Sequence, residues 1–143
     1  MLGRKNYTHQ EVDHAKMAVD TQLAAYHKLI NAIGGATSDP EVASAVEAFE
    51  PLFFSNMTLV LDRYFVHRLR VVAGKDGNPL NEVELLTESL MNNDGGLRAN
   101  NVVKFDHGTS VLKLHIGDRI QLTAAQFERL AKAYLAEIES RFL

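Results

Sequence analysis

The chain has no cysteine, which excludes disulfides, zinc–thiolate sites, iron–sulfur clusters and thiol nucleophiles together. It also lacks a basic excess. Fifteen Lys and Arg against eighteen Asp and Glu leave a net charge of −3, whereas a general nucleic-acid binder carries a clear positive balance. No run approaches the roughly 20 apolar residues of a membrane span. The opening Met1–Asn6 has two charges with no apolar run behind them and does not read as a signal peptide. What remains is 143 residues, 46% hydrophobic and 23% charged. A chain of that size buries roughly two-thirds of its unfolded surface and needs no metal or disulfide to fold. The composition predicts one domain over 1–143 and a cytoplasmic globular protein without cofactor.

Helical punctuation is clear along most of the chain. Thr8-His9-Gln10-Glu11 matches a capping box, and Val12, Val19, Tyr26 and Ile33 then recur every seven residues, predicting a helix of about seven turns that stops at Gly34-Gly35. Asp39-Pro40 pairs an N-cap with proline at the first helical position, and Val42, Val46 and Phe49 are expected to face inward. Pro51 predicts a kink or a fresh start. From Leu52 to Val72 the spacing predicts a core helix, apolar around most of its circumference. Gly74–Pro79 reads as a connector, and Asn78-Pro79 repeats the cap-then-proline start of a helix with Leu80, Val83, Leu86 and Leu90 on one face. That helix is expected to end in the turn Asn92–Gly96.

The period then changes. Val103 and Phe105, then Leu112, Leu114 and Ile116, then Ile120 and Leu122 alternate with polar neighbours, and Asp106–Thr109 and Gly117-Asp118 are turn-like. This pattern predicts a small antiparallel β-hairpin or meander. A second capping box, Thr123–Gln126, opens a last helix that buries Phe127, Leu130, Tyr134, Ile138 and Phe142. The expected fold is mainly α (α+β): a bundle of about five helices with a β-hairpin before the C-terminal one.

The candidate chemistry lies on the predicted core helix. Asn56, Arg63, His67 and Arg70 are spaced by seven, four and three residues, which puts them on one helical face with Asp62 and Arg68 flanking it. Two guanidiniums and an imidazole would hold a phosphate or carboxylate, with His67 as acid or base and Asn56 orienting the ligand. The competing reading is a solvated or paired face, with Arg63 or Arg70 bound to Glu82, Glu84 or Glu88. Arg63, Arg68, Arg70 and Lys75 are the only local basic cluster, and acidic residues accompany them, so a nucleic-acid partner is not expected. Gly74–Gly77 lacks P-loop spacing, and Asp76–Asn78 does not continue as a calcium loop. His9 and His14 are five apart, where helical zinc pairs are four apart. No metal site is expected. Ser55, Ser89 and Ser110 lack a nucleophile elbow.

The run Asn56–Arg70, followed by Gly74–Val83, and the tail from Val111 through Gly117–Thr123 into the last helix resemble a group of short, mostly helical actinobacterial proteins without assigned activity. The resemblance implies a bacterial cytoplasmic setting and carries over no reaction and no site. Excess apolar surface around residues 52–72, with Phe53 and Phe54 adjacent, points to a protein that works by association, most simply as a homodimer. The alternative is a small-molecule or anion-binding protein, or an enzyme, that uses Asn56, Arg63, His67 and Arg70.

Overall fold

The computed structural model describes residues 3–143; Met1 and Leu2, the first residues of the segment read as lacking a signal peptide, lie outside the described residues. Five helices follow one another: α1 (His9–Ala36), α2 (Pro40–Tyr64), α3 (Arg70–Ala73), α4 (Pro79–Asn92) and α5 (Ala124–Phe142). Among the described residues no helix is long and apolar enough to cross a membrane.

The helix starts follow the punctuation. Thr8 and Glu11 form the reciprocal capping box, as do Thr123 and Gln126; Asp39 and Asn78 accept backbone N–H groups at the starts of α2 and α4. Each such side chain satisfies donors that have no partner inside the helix. Thr8→Ala is therefore expected to lower stability by about 1 kcal/mol, read from the denaturant midpoint. An unchanged midpoint would mean that the first turn of α1 frays in the native protein. The end of α1 differs from expectation. The helix runs through Gly34-Gly35 to Ala36, and the Thr37 N–H closes its last turn on the Ile33 carbonyl.

The middle of the chain departs further. No new helix begins at Pro51; α2 continues through it as one 25-residue helix. The break comes at Phe65, whose backbone (φ −132°, ψ 33°) leaves the helical region, and α3 is a separate four-residue turn entered from an extended Leu69. The extended residues Gly3–Tyr7 wedge into this break. Arg4 exchanges hydrogen bonds with His67 and Leu69, and the Tyr7 N–H donates to the Phe142 carbonyl. A Cβ on Gly3 would lie 2.9 Å from the Leu69 Cα, so this approach requires glycine. The Tyr7 ring then packs edge-on to Phe65 at 4.8 Å.

The enclosed helix is α4 and not the 52–72 segment. α4 lies against both α2 and α5, and Leu80, Asn81, Glu82, Val83, Leu85, Leu86 and Ser89 are all buried. On α2, by contrast, Leu52 and Val60 are exposed, as is Val71 in α3. α1 and the C-terminal half of α2 complete the core on α5 through Val12, Val19, Leu23, Phe54, Leu61, Phe127 and Tyr134.

The expected β-hairpin is not formed. Residues 93–123 hold one isolated antiparallel bridge, Gly96 to Arg119, and otherwise turns. The alternation nevertheless reports burial: Val103, Leu112, Ile120 and Leu122 all join the core. A period of two marks which residues point inward, but a ladder also needs backbone partners. Here side chains take the N–H groups instead. Glu82 accepts from Val111 and Leu112, Asn100 from Val102 and Val103, Ser89 from Arg98 and Asp118 from His115. Lys113, at φ 56°, also turns the chain where a strand would continue.

The far ends of α1 and α2 form an arm. The last fully buried residue of α1 is Tyr26, and the first of α2 is Phe54. Between them Ile30 and Ile33 of α1 and Val42 and Val46 of α2 line a small cavity of about 260 Å³. Tyr26, Phe53 and Phe54 stack at the base of the arm. There the Glu50 carboxylate accepts the Ala124 N–H at 2.7 Å, tying the arm to the start of α5.

Candidate functional site

The Phe65 break redistributes the residues expected on one face. Asn56 and Arg63 stand exposed on α2, His67 is exposed in the turn after it, and Arg70 opens α3, half-buried. A continuous helix would have aligned all four; the reversal at Phe65 separates His67 and Arg70 from the other two. Only Arg70 enters a cleft. Its guanidinium donates to both Glu84 carboxylate oxygens at 2.8 and 2.7 Å, so the paired reading holds for this residue with Glu84 as partner.

The cleft that Arg70 enters has a volume of about 260 Å³ and lies between the 62–73 segment and α4. Its inner wall is Arg68, with only 8% of the side chain exposed, paired to Asp62 (14% exposed) at 2.9 Å. The same guanidinium donates to the Phe65 carbonyl at 3.0 Å and to the Tyr134 hydroxyl at 3.2 Å. Burial raises the pKa of the Tyr134 phenol, so it stays neutral, even though Arg68 pulls the other way. Glu88, held by the Asn100 amide at 2.9 Å, and Thr87 complete the wall.

Both guanidiniums in this cleft already face carboxylates, and Glu84, Glu88 and Asp62 outnumber them. The arrangement leaves one carboxylate in excess and offers no free cationic fork to an anion. Helical spacing gave no sign of Arg68 as the organising residue. Asp62 and Arg68 are six apart, which on one helix would place them on different faces; only the break folds one onto the other. Their shared feature in the sequence is position, on either side of the segment where α2 stops.

The buried carboxylate is elsewhere. Glu82 is 4% exposed, and its two oxygens accept the Val111 and Leu112 N–H groups at 2.7 and 3.0 Å. Burial raises its pKa, and the two backbone donors partly counter that. It lies in the core under the 97–123 segment and anchors it. The connector glycines do what connectors require: Gly74 and Gly77 have φ of 79° and 90°, and the Asn78 side chain caps α4. His107 and His115 stack at 3.7 Å on the surface. Among the described residues no three His, Asp or Glu side chains gather as a metal site would need.

Large apolar side chains stand exposed at several places, Met17, Val71 and Met91 among them, and three more do so beside the arm. Leu29, Phe49 and Leu52 are all exposed there, Leu52 to 67%. Leu52 lines a groove of about 680 Å³ between α2, the end of α4 and the 95–121 segment. No protein family, curated protein or solved structure matches the chain.

Proposed function

We propose that this protein works by association with another protein surface, most simply a second copy of itself, in the bacterial cytoplasmic setting its resemblance implies. One quantity carries the reading. A compact monomer of 15.9 kDa exposes about 7,400 Å², whereas this chain exposes 8359 Å². The excess, about 1,000 Å², is of the size that each partner contributes to a standard interface, about 800 Å². The arm contributes to it, since its residues 27–53 include no fully buried side chain. Leu52, exposed on the arm, lines the groove with Pro51, Leu90 and Ile120 and gives that surface the apolar centre an interface needs.

Light scattering and sedimentation over a wide concentration range test this. The wild type is expected to have the mass of a dimer. Leu52→Glu is expected to weaken association about thirtyfold or more, the effect of losing a central contact of about 2 kcal/mol, with the helical spectrum retained. A wild type that stays monomeric at every concentration overturns the reading for self-association.

A further inference from the structure

The arm has an unusual charge distribution. Its residues 27–53 carry four carboxylates (Asp39, Glu41, Glu47 and Glu50) against one lysine, Lys28, and one histidine, His27. Two copies joined with these carboxylates face to face would set like charges against each other, which is unfavourable across an interface. An acidic arm favours a basic counterpart, and the 680 Å³ groove, walled on one side by the arm itself, holds one in Arg119 on its opposite side.

That groove has an apolar floor, with Pro51, Leu52, Leu90 and Ile120 among its lining residues, and two opposite charges, Glu47 on the arm and Arg119 on the 95–121 segment. Among the described residues neither forms an ion pair within the chain; Arg119 reaches only a backbone oxygen, the Asp94 carbonyl at 2.9 Å. The groove between α1 and α5 differs in this respect. Four of its five charges pair internally, Lys16 with Glu139 and Lys132 with Glu128, which leaves only the acid Asp20 and no unmatched base. An unmatched acid and an unmatched base on one apolar groove form a self-complementary pattern. Under a two-fold axis, residue i meets j of the partner and j meets i.

We infer that two copies of this chain pair isologously over this groove, with Glu47 of each copy facing Arg119 of the other and the Leu52 side chains buried between them. The inference rests on the association reading and adds the partner, the face and the register. It also accounts for the surface excess: the exposed flank of the arm becomes the covered one, and no second interface is required.

Charge reversal tests the register. Glu47→Arg and Arg119→Glu are each expected to weaken the dimer about tenfold or more, because each places like charges at both ends of the two-fold. An equimolar mixture of the two variants is expected to recover an affinity near that of the wild type. In that heterodimer the two introduced side chains, of opposite charge, meet at one end, and the native Glu47 and Arg119 meet at the other. Both positions are exposed, and the helical spectrum and melting temperature establish that each variant is folded. If Arg119→Glu disturbs the turn at Asp94, salt dependence replaces it: added salt weakens the wild-type dimer, and Glu47→Gln flattens that dependence. A dimeric wild type whose association is untouched by either reversal, or a mixture that fails to recover, overturns this face while leaving the association reading in place. A monomeric wild type overturns both.

Discussion

Replacing Arg68 with alanine is expected to cost about 3–5 kcal/mol of folding stability, the range for removing one partner of a buried ion pair. The Arg68 guanidinium is almost wholly covered and serves Asp62, Tyr134 and the Phe65 carbonyl at once. Its loss strands the Asp62 carboxylate in the cleft without a counter-charge and removes the contact that folds the 65–69 turn back onto α2. Against a typical total of about 5–15 kcal/mol, the melting temperature is expected to fall by about 10–20 °C. Calorimetry checks the magnitude, and a second variant checks the cause. In Asp62→Asn with Arg68→Met no charge is left unpaired, so this double variant is expected to recover a large part of the loss, since an apolar replacement of a buried pair is often neutral. If the double variant is as unstable as Arg68→Ala, the cost lies in packing and the charge argument is wrong.

The same residue shows where the sequence stops being informative. Helix starts are local: a cap needs its own side chain and a backbone group two or three residues on, so Thr8, Asp39, Asn78 and Thr123 were readable without the rest of the chain. The break at Phe65 is not local. Leu61, Phe65, Val66, Leu69 and Val72 continue an apolar helical pattern, and no glycine or proline interrupts it. The turn is held by distant partners, Arg4 from the N-terminal strap and Tyr134 from α5, and tertiary contacts override a weak local preference. The expected alignment of Asn56, Arg63, His67 and Arg70 depended on that helix continuing, and it went with it. Only the Arg70 pairing to Glu84 was within reach, because acidic residues at 82, 84 and 88 offered partners whichever way the chain turned.

The apolar pattern was legible as burial and misleading as architecture. On α2 it gave too much: Leu52 and Val60 fit a core stripe but stand at the surface, Leu52 because the arm extends past the end of the bundle that would cover it. On α4 it gave too little. Asn81, Glu82 and Ser89 are buried there, and a polar residue at such a position reads as solvent-facing until its partner is known. Each of these three serves the backbone of a loop: Asn81 binds Gly74 and Gly77, Ser89 binds Arg98, and Glu82 binds Val111 and Leu112. Two of those loop contacts lie in the segment read as a meander. The missing sheet and the buried polar face of α4 are therefore one fact, since the side chains of α4 take the place of a neighbouring strand.

Glu82→Gln follows from that substitution of side chain for strand, and it has a pH signature. The carboxylate offers two acceptor oxygens to two backbone donors. An amide keeps one oxygen and turns an NH₂ group toward the other N–H, leaving a buried donor unsatisfied at a cost of about 1–3 kcal/mol. Denaturant unfolding measures it, and faster amide exchange at Val111 or Leu112 would place the loss in the 97–123 segment. The pKa of Glu82 in the fold is raised, chiefly by burial. The folded state therefore binds its proton more tightly than the unfolded state, whose value is about 4.3. The contribution from this ionisation is fully present below that value and is lost as pH rises through the raised folded one. Glutamine does not titrate. The stability gap between wild type and Glu82→Gln is therefore expected to be widest in acid and to narrow as pH climbs from about 4.3 toward neutrality. Paired unfolding curves at mildly acidic and neutral pH decide the sign. A gap that widens toward neutral pH would mean that the two backbone N–H groups outweigh burial and hold Glu82 below its usual value.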